Sequence, residues 1–317
     1  MNYVIFDLEW NQSSTGTEPE TGDIPCEIIE IGAVKVNDKG VIIGEFNELV
    51  KPLVYHTMNS VTSKIIHIDM DELENERGFT EVAGLFLDWC GTEEYIFGTW
   101  GSSDLSVLQR NMEFHRMPPL SDGPIPYLDV QKLFSIAYED GKARRSLESA
   151  ADFLHLEKGD AFHRAFNDAK YTAQVFVNIM SADTAVLKNV SFDIFHVPKD
   201  RKSEVKIQFD SYAKFISREF EDKASALEDR EVSSSKCYLC HRNIRRKVKW
   251  FTTNGRTYYC LAYCEIHGFL KGKIRIRKSG EGKVYVIKTT KLIDEEAAEE
   301  IKLLRRAARR MPPKSYK

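Results

Sequence analysis

The chain has 317 residues, 42% of them apolar and 29% charged, an ordinary globular composition with length for about two domains. No stretch is long and apolar enough to span a membrane, and the N-terminus runs straight into a strand-like segment instead of a signal peptide; a cytoplasmic protein with no membrane partner is expected. The net charge of −3 hides an asymmetry: residues 1–230 carry 23 basic and 40 acidic side chains, a net of −17, while residues 231–317 carry 22 and 8, a net of +14. A basic module joined to an acidic one suits a polyanion such as nucleic acid; docking of the two halves on each other is the simpler account.

The first element is an apolar run, Tyr3-Val4-Ile5-Phe6, ending in Asp7-Leu8-Glu9-Trp10. It reads as a buried strand. Residues two apart on a strand share a face, so Asp7 and Glu9 point the same way at the end of a core element. Two such carboxylates repel unless solvated or bridged by a divalent cation, and hard oxygen ligands suit magnesium or manganese. A polar loop over residues 11–25 follows. Glu27–Val36 and Val41–Val50 are two further strands, and the Asp38-Lys39-Gly40 break between them predicts an antiparallel hairpin. Met58–Ile68 is helix-like.

Phe79–Cys90 places Phe79, Val82, Ala83, Phe86, Leu87 and Cys90 on one helical face. Tyr95–Trp100 is a strand, and Asp104 opens a helix to about His115, where an acid is favoured by capping and the helix dipole alone. Prolines at 118, 119, 124 and 126 mark a loop. Tyr127–Val130 is a short strand, followed by a helix over Gln131–Tyr138 and another to Leu156 capped by Ser146. His163 lies at or just before the start of a late helix running to Met180, and Asp168 lies more than a turn inside it. Three strands, then alternating helices and strands, predict a mixed sheet with helices on its faces.

The combination carries more than its parts. Asp-x-Glu closes the first strand, an Asp follows the fourth, and His-x4-Asp opens a late helix. With Glu27-Ile28-Ile29-Glu30-Ile31-Gly32-Ala33 and His163-Arg164-Ala165-Phe166-Asn167-Asp168-Ala169, this arrangement resembles the DEDDh family of 3′–5′ exonucleases, which includes RNase T, oligoribonuclease and the polymerase III proofreading subunit. It looks most like the subgroup of histone-mRNA 3′ exonucleases and an inhibitor of a sporulation kinase pathway. The resemblance covers about residues 1–182. One departure is mild: Ala165-Phe166-Asn167-Asp168 stands where family members often carry Gly-x-Asp-Asp, and the ligand position is kept.

The resemblance implies an RNase H-like fold and two-metal hydrolysis of a phosphodiester. It assigns catalytic roles to Asp7, Glu9, Asp104, His163 and Asp168. Two Mg2+ or Mn2+ ions would be held by Asp7 bridging both, by Glu9 and Asp168 at one, and by Asp104 at the other through water. His163 would be the general base, a role that suits a side chain titrating near neutral pH. Trp10 and Asn11, next to the metal ligands, would hold the terminal nucleotide, with Trp10 stacked on its base; packing of Trp10 in the core is the equal alternative.

Beyond residue 185 the reading becomes a linker, 186–235, containing a charged helix over Phe209–Leu227. A basic module follows over 236–317. Cys26 and Cys90 read as buried small apolar residues. Cys237-x2-Cys240 and Cys264-x2-His267 flank a hairpin with an Asn254-Gly255 turn, a spacing that looks like a zinc ribbon or treble clef. One structural Zn2+ on Cys237, Cys240, Cys264 and His267 is expected, with Cys260 as the alternative fourth ligand. A second hairpin, Lys271–Ile276 and Lys283–Thr289, has one basic face, and Asp294–Met311 is a helix. Trp250, Phe251, Tyr258 and Tyr259 among the basic residues suggest contact with single-stranded nucleic acid.

The sequence therefore predicts an α/β RNase H-like exonuclease domain over 1–185 with a small α+β zinc module. Its substrate would be the 3′ end of single-stranded RNA, more than DNA, with nucleoside 5′-monophosphates as products. The alternative is a regulatory binding protein, weakly catalytic or not at all, on an exonuclease scaffold.

Overall fold

The structure, a computed structural model, describes residues 1–13, 24–66, 68–159 and 161–310; most of the polar loop expected over 11–25 lies outside them, as does Met311. The chain divides into two units, Met1–Ser121 with Ile125–Phe195, and Asp122–Pro124 with His196–Lys317.

In the first unit β1 (Asn2–Gln12), β2 (Cys26–Val36) and β3 (Ile42–Leu49) form the antiparallel start of a six-stranded sheet. The segment after β3 makes two single turns, α1 (Thr62–Ile65) and α2 (Met70–Leu73), in place of one helix over Met58–Ile68. Then come α3 (Phe79–Cys90), β4 (Tyr95–Thr99), α4 (Asp104–Phe114), β5 (Ile125–Asp129), α5 (Val130–Tyr138), α6 (Leu147–Phe153), α7 (Ala165–Ala182) and β6 (Ser191–Asp193). The strand order is β3-β2-β1-β4-β5-β6, with β1, β4 and β5 parallel. This is the RNase H-like mixed sheet.

β1 sits inside the sheet with helices on both sides, so its apolar run is continuous and does not alternate. Val4 and Phe6 pack with Phe86 of α3 and Leu108 of α4. Tyr3 and Ile5 pack on the other face with Leu133 and Phe134 of α5 and Phe176 of α7. The expected cap of α6 is present: the Ser149 N–H donates to Ser146 Oγ at 3.2 Å.

The second unit is another six-stranded sheet, built from β7 (Val205–Gln208), β8 (Tyr212–Ile216), β9 (Arg245–Thr252), β10 (Thr257–Cys264), β11 (Gly268–Lys278) and β12 (Val284–Leu292) in the order β7-β8-β12-β11-β10-β9, all antiparallel. Helices α8 (Lys223–Glu228) and α9 (Arg230–Ser233) cover one face over Phe215, Ile274 and Val286. Helix α10 (Glu295–Arg310) lays Ala298 and Ile301 on Phe251 and Leu261 of the other.

Two expectations are corrected here. The charged helix over Phe209–Leu227 does not form. Tyr212–Ile216 is instead the strand β8, laddered to β7 and β12, and only Lys223–Glu228 is helical, capped by Asp222. Tyr212, Phe215 and Ile216 fit either period, and the free strand edge of β12 decides between them. Nor is 186–235 a separate linker, because Ser191–Asp193 completes the first sheet and residues from His196 belong to the second unit.

Candidate active site

Four acids meet where β1 leaves the core. Asp7 lies opposite Gly32 and Glu9 opposite Glu30 in the β1–β2 ladder. Asp104 is the first residue of α4, which follows β4, the parallel neighbour of β1. Asp168 stands in the first turn of α7. Carboxylate oxygens of Asp7, Glu9 and Asp168 lie within 4.8 Å of one another. Asp104 is 4% exposed, and its carboxylate accepts N–H bonds from its own backbone and from Leu8.

This crowding shows in the protonation of the acids. Burial, then Asp104, Glu9 and Asp168, raises the Asp7 carboxyl well above its ordinary range. Burial and the neighbouring Asp168 and Glu30 push Glu9 up to about 8. Burial lifts Asp104 to about 7 against the hydrogen bonds it accepts. Asp168 rises to about 6, again by burial, opposed by the His163 N–H, which donates to its Oδ2 at 3.2 Å. Asp168 Oδ1 is buried without a hydrogen-bond partner. Adjacent carboxylates with an orphaned oxygen fit a hard divalent cation, which supplies the missing positive charge.

The α7 terminus is held in place by residues that sequence reasoning quoted only as flanking text. Glu30, fully buried, takes Nε and NH2 of Arg164 on its carboxylate at 3.0–3.3 Å and accepts the Ala165 N–H at 3.0 Å. Opposite Asp7, a Cβ on Gly32 would stand 2.1 Å from the Phe166 nitrogen, so only glycine lets α7 reach the sheet here. His163 turns the chain into α7 at φ +66°, with its side chain exposed. The signal was available: an acid inside a buried strand, two residues before a glycine, needs a buried partner.

One expected contact is corrected. Asn11 is fully buried and its amide is spent: Nδ2 donates to the Thr57 carbonyl at 2.9 Å and Oδ1 accepts the Asn59 N–H at 2.9 Å. It pins the loop after β3 and is not available to a nucleotide. Trp10, half-buried, packs against the core cluster of Val4, Phe6 and Leu8.

In the second unit Cys237, Cys240, Cys264 and His267 bring their ligand atoms within 4.8 Å of one another. Cys237 Sγ is 3.4 Å and Cys264 Sγ 3.6 Å from His267 Nδ1, and Cys240 and Cys264 Sγ are 3.7 Å apart. Three thiols and an imidazole fit a soft, tetrahedral site. Hydrogen bonds from the Ile266 and His267 backbone, His267 and Cys240 outweigh burial and bring the Cys264 thiol down to about 6. Cys260 stands apart from this group. It is 2% exposed, and its Sγ lies where a Cβ on Gly272 would be, 2.5 Å away. Of the aromatics expected to meet nucleic acid, Phe251 is buried under α10, and Trp250 and Tyr258 pack toward α8 and α9. Trp250 Nε1 donates to the Ser233 carbonyl at 2.9 Å.

An RNase H-like sheet with clustered acids at the end of its central strand is the architecture of a phosphodiester-cleaving enzyme. The exonuclease family model, RNase T, matches residues 4–176, and the chain belongs to that family, as a DEDDh exonuclease. A DNA polymerase III of PolC type from Thermotoga petrophila is 33% identical over 179 residues, which are 56% of this chain and 12% of that protein. The chain thus spans about an eighth of the length of that relative. The DNA polymerase III epsilon subunit of Aquifex aeolicus is 26% identical over 178 residues, 56% of this chain and 80% of that protein. Among solved structures, the nuclease domain of 3′hExo, a DEDDh family member bound to rAMP, superposes with a TM-score of 0.48 at 21% identity, covering 57% of this chain and 92% of that one.

Proposed function

We propose that the chain is a two-metal 3′–5′ exonuclease that degrades single-stranded nucleic acid from its 3′ end and releases nucleoside 5′-monophosphates. The observation that carries this reading is the convergence of Asp7, Glu9 and Asp168 on one point, with Asp104 buried beside them and Asp168 Oδ1 unpaired. Two Mg2+ or Mn2+ ions bound there supply charge to the phosphorane-like transition state. Asp7, Glu9 and Asp168 hold them, with Asp104 in support. His163, exposed at the mouth of the cluster, accepts the proton of the attacking water. The buried Glu30–Arg164 clamp keeps His163 and Asp168 in register with β1. Trp10, next to Glu9 in the chain and half-buried against the core, would offer the exposed part of its ring to the terminal base.

RNA is proposed as the better substrate on the resemblance of the Glu27–Ala33 and His163–Ala169 segments to RNA-directed members of the family. The names of the polymerase relatives favour DNA, so both polymers belong in the experiment. In the second unit, Zn2+ on Cys237, Cys240, Cys264 and His267 would be structural, because four protein ligands leave no open position for chemistry.

The test is incubation of the protein with 5′-labelled single-stranded RNA and DNA of equal sequence, with magnesium or manganese, beside Asp7→Ala. A descending ladder absent in the variant is expected, and the faster polymer names the substrate. No ladder on either polymer from folded, zinc-loaded protein transfers the reading to a regulatory scaffold.

A further inference from the structure

The second sheet has one face closed by α8 and α9 and another that α10 covers over β9, β10 and the Phe269 end of β11. Directly paired residues of antiparallel strands share a face, so the pairings define what the remainder carries. Lys271, Lys273, Arg275 and Arg277 alternate along β11, opposite Lys291, Thr289, Ile287 and Tyr285 of β12. The residues between them, Gly272, Ile274 and Ile276, point to the other face, where Ile274 and Ile276 join the apolar cluster under the short helices. None of the residues that β8, β10, β11 and β12 place on this face is acidic.

A merely solvated face does not require this arrangement. Neighbours two apart on a strand are about 6.7 Å apart, and like charges at that distance repel. The effect is visible at Lys273, whose ammonium is pushed below its ordinary range by partial burial and by Arg275 and Lys271. Mixed signs would cost less and keep the face equally soluble. Aromatic surface accompanies the row: the Lys271 and Lys273 ammoniums lie 5.5 and 5.8 Å from the Tyr259 ring centre. Arg275, Arg277 and Lys291 are exposed. An unbroken line of cations is complementary to a chain of phosphates whose charges recur at a similar interval.

We propose that this face of the second unit, centred on Lys271, Lys273, Arg275 and Arg277 with Lys291 and Tyr285 beside them, is a track for the phosphate backbone of single-stranded nucleic acid. It deepens the exonuclease reading and rests on it for the class of ligand. The track holds the strand without regard to sequence, because its contacts are to phosphate.

The test uses the full chain and single-stranded RNA and DNA 20-mers protected by phosphorothioate linkages. A triple variant, Lys273→Gln with Arg275→Gln and Arg277→Gln, is compared with wild type and with a control triple, Lys39→Gln, Lys64→Gln and Lys142→Gln, which removes the same charge from the first unit. At moderate salt the track variant is expected to bind the 20-mers about 10- to 100-fold more weakly. Its slope of log affinity against log salt should be about 2 units shallower, from about 0.7 per lost phosphate contact. The control should stay within about threefold of wild type, and turnover of a trinucleotide, too short to need the track, should be unchanged in both. Affinity and slope equal to wild type in a track variant with unchanged zinc content and melting temperature overturn the proposal, as does an equal loss in the control. Tight, track-dependent binding by a wild-type protein that degrades neither the trinucleotide nor unprotected 20-mers leaves the track standing and defeats the exonuclease reading.

Discussion

The two units bring mutually repelling groups together by opposite means. In the first, four carboxylates converge at the end of a strand held by two apolar clusters of 18 and 17 buried residues. Burial of that many side chains, the large ones each worth about 1.5–3 kcal/mol, offsets the repulsion among the acids. In the second, three thiols and an imidazole converge at the end of a sheet whose clusters hold six, four and four buried residues. Metal binding there is expected to be part of folding. A centre set into a large core can be left charged and open for chemistry, whereas one set into a small core is committed to holding the fold together.

Substitution of a ligand in each unit should break the comparison most sharply. Asp7→Asn is expected to lower turnover by about a thousandfold or more while the metal-free protein melts no lower than wild type, since a repelling charge is gone. A melting temperature that falls by many degrees would make Asp7 structural. His163→Ala should reduce turnover by about 10²–10⁴-fold with melting unchanged, and near-wild-type turnover would remove the base assignment. Cys237→Ser should instead abolish zinc retention and unfold the second unit alone. Loss of amide-exchange protection confined to residues after 196 is the signature, and retained protection there without zinc would show that the apolar clusters suffice.

Smaller effects sharpen it further. Glu30→Gln weakens the clamp on Arg164 and Ala165 and removes one of the charges that raise Glu9 while leaving the four acids in the chain, so turnover should fall about tenfold at nearly constant KM, with melting lowered because a buried ion pair loses one partner. An unchanged turnover with lowered melting would leave Glu30 a purely structural residue. The last effect is a dependence on pH. Glu9 and Asp168, pushed up to about 8 and about 6 from ordinary values of 4.5 and 3.8, bind protons in the folded state that the unfolded chain has released. The stability of zinc-loaded, magnesium-free protein should therefore decrease as pH rises from about 4 to about 8. Saturating magnesium should remove the slope by holding the acids ionised. Melting curves across that range, with and without magnesium, measure it; parallel profiles would mean that the ion does not occupy the acid cluster.

Residues 79–90 and 95–99 were legible as elements because their apolar periods are unambiguous, and the hairpin over Glu27–Val50 because its break carries turn residues. That Asp7, Glu9, Asp104 and Asp168 come together, and that Cys237, Cys240, Cys264 and His267 do, was legible too, since each set combines chemically distinctive residues with a characteristic spacing. Segment 209–227 was not. Its apolar residues satisfy a helix and a strand alike, and the open edge of β12 is information held elsewhere in the chain. Asn11 looked like a substrate contact because it follows the acids, but the loop at Tyr55–Asn59 consumes its amide. Trp250 and Tyr258 looked like stacking platforms, yet their face of the sheet is the one that the short helices close.

Local order and chemical type, then, are properties of the sequence itself: which residues are strand, which are helix, which acids and thiols are present and how they are spaced. What tertiary structure decided is which face of each element is covered. Glu30 became a clamp because α7 was brought against Gly32, and Lys271–Arg277 stayed an open row because α10 stops short of it. Both outcomes depend on the packing of segments distant in the chain, where burial free energy is realised and where no local period reaches.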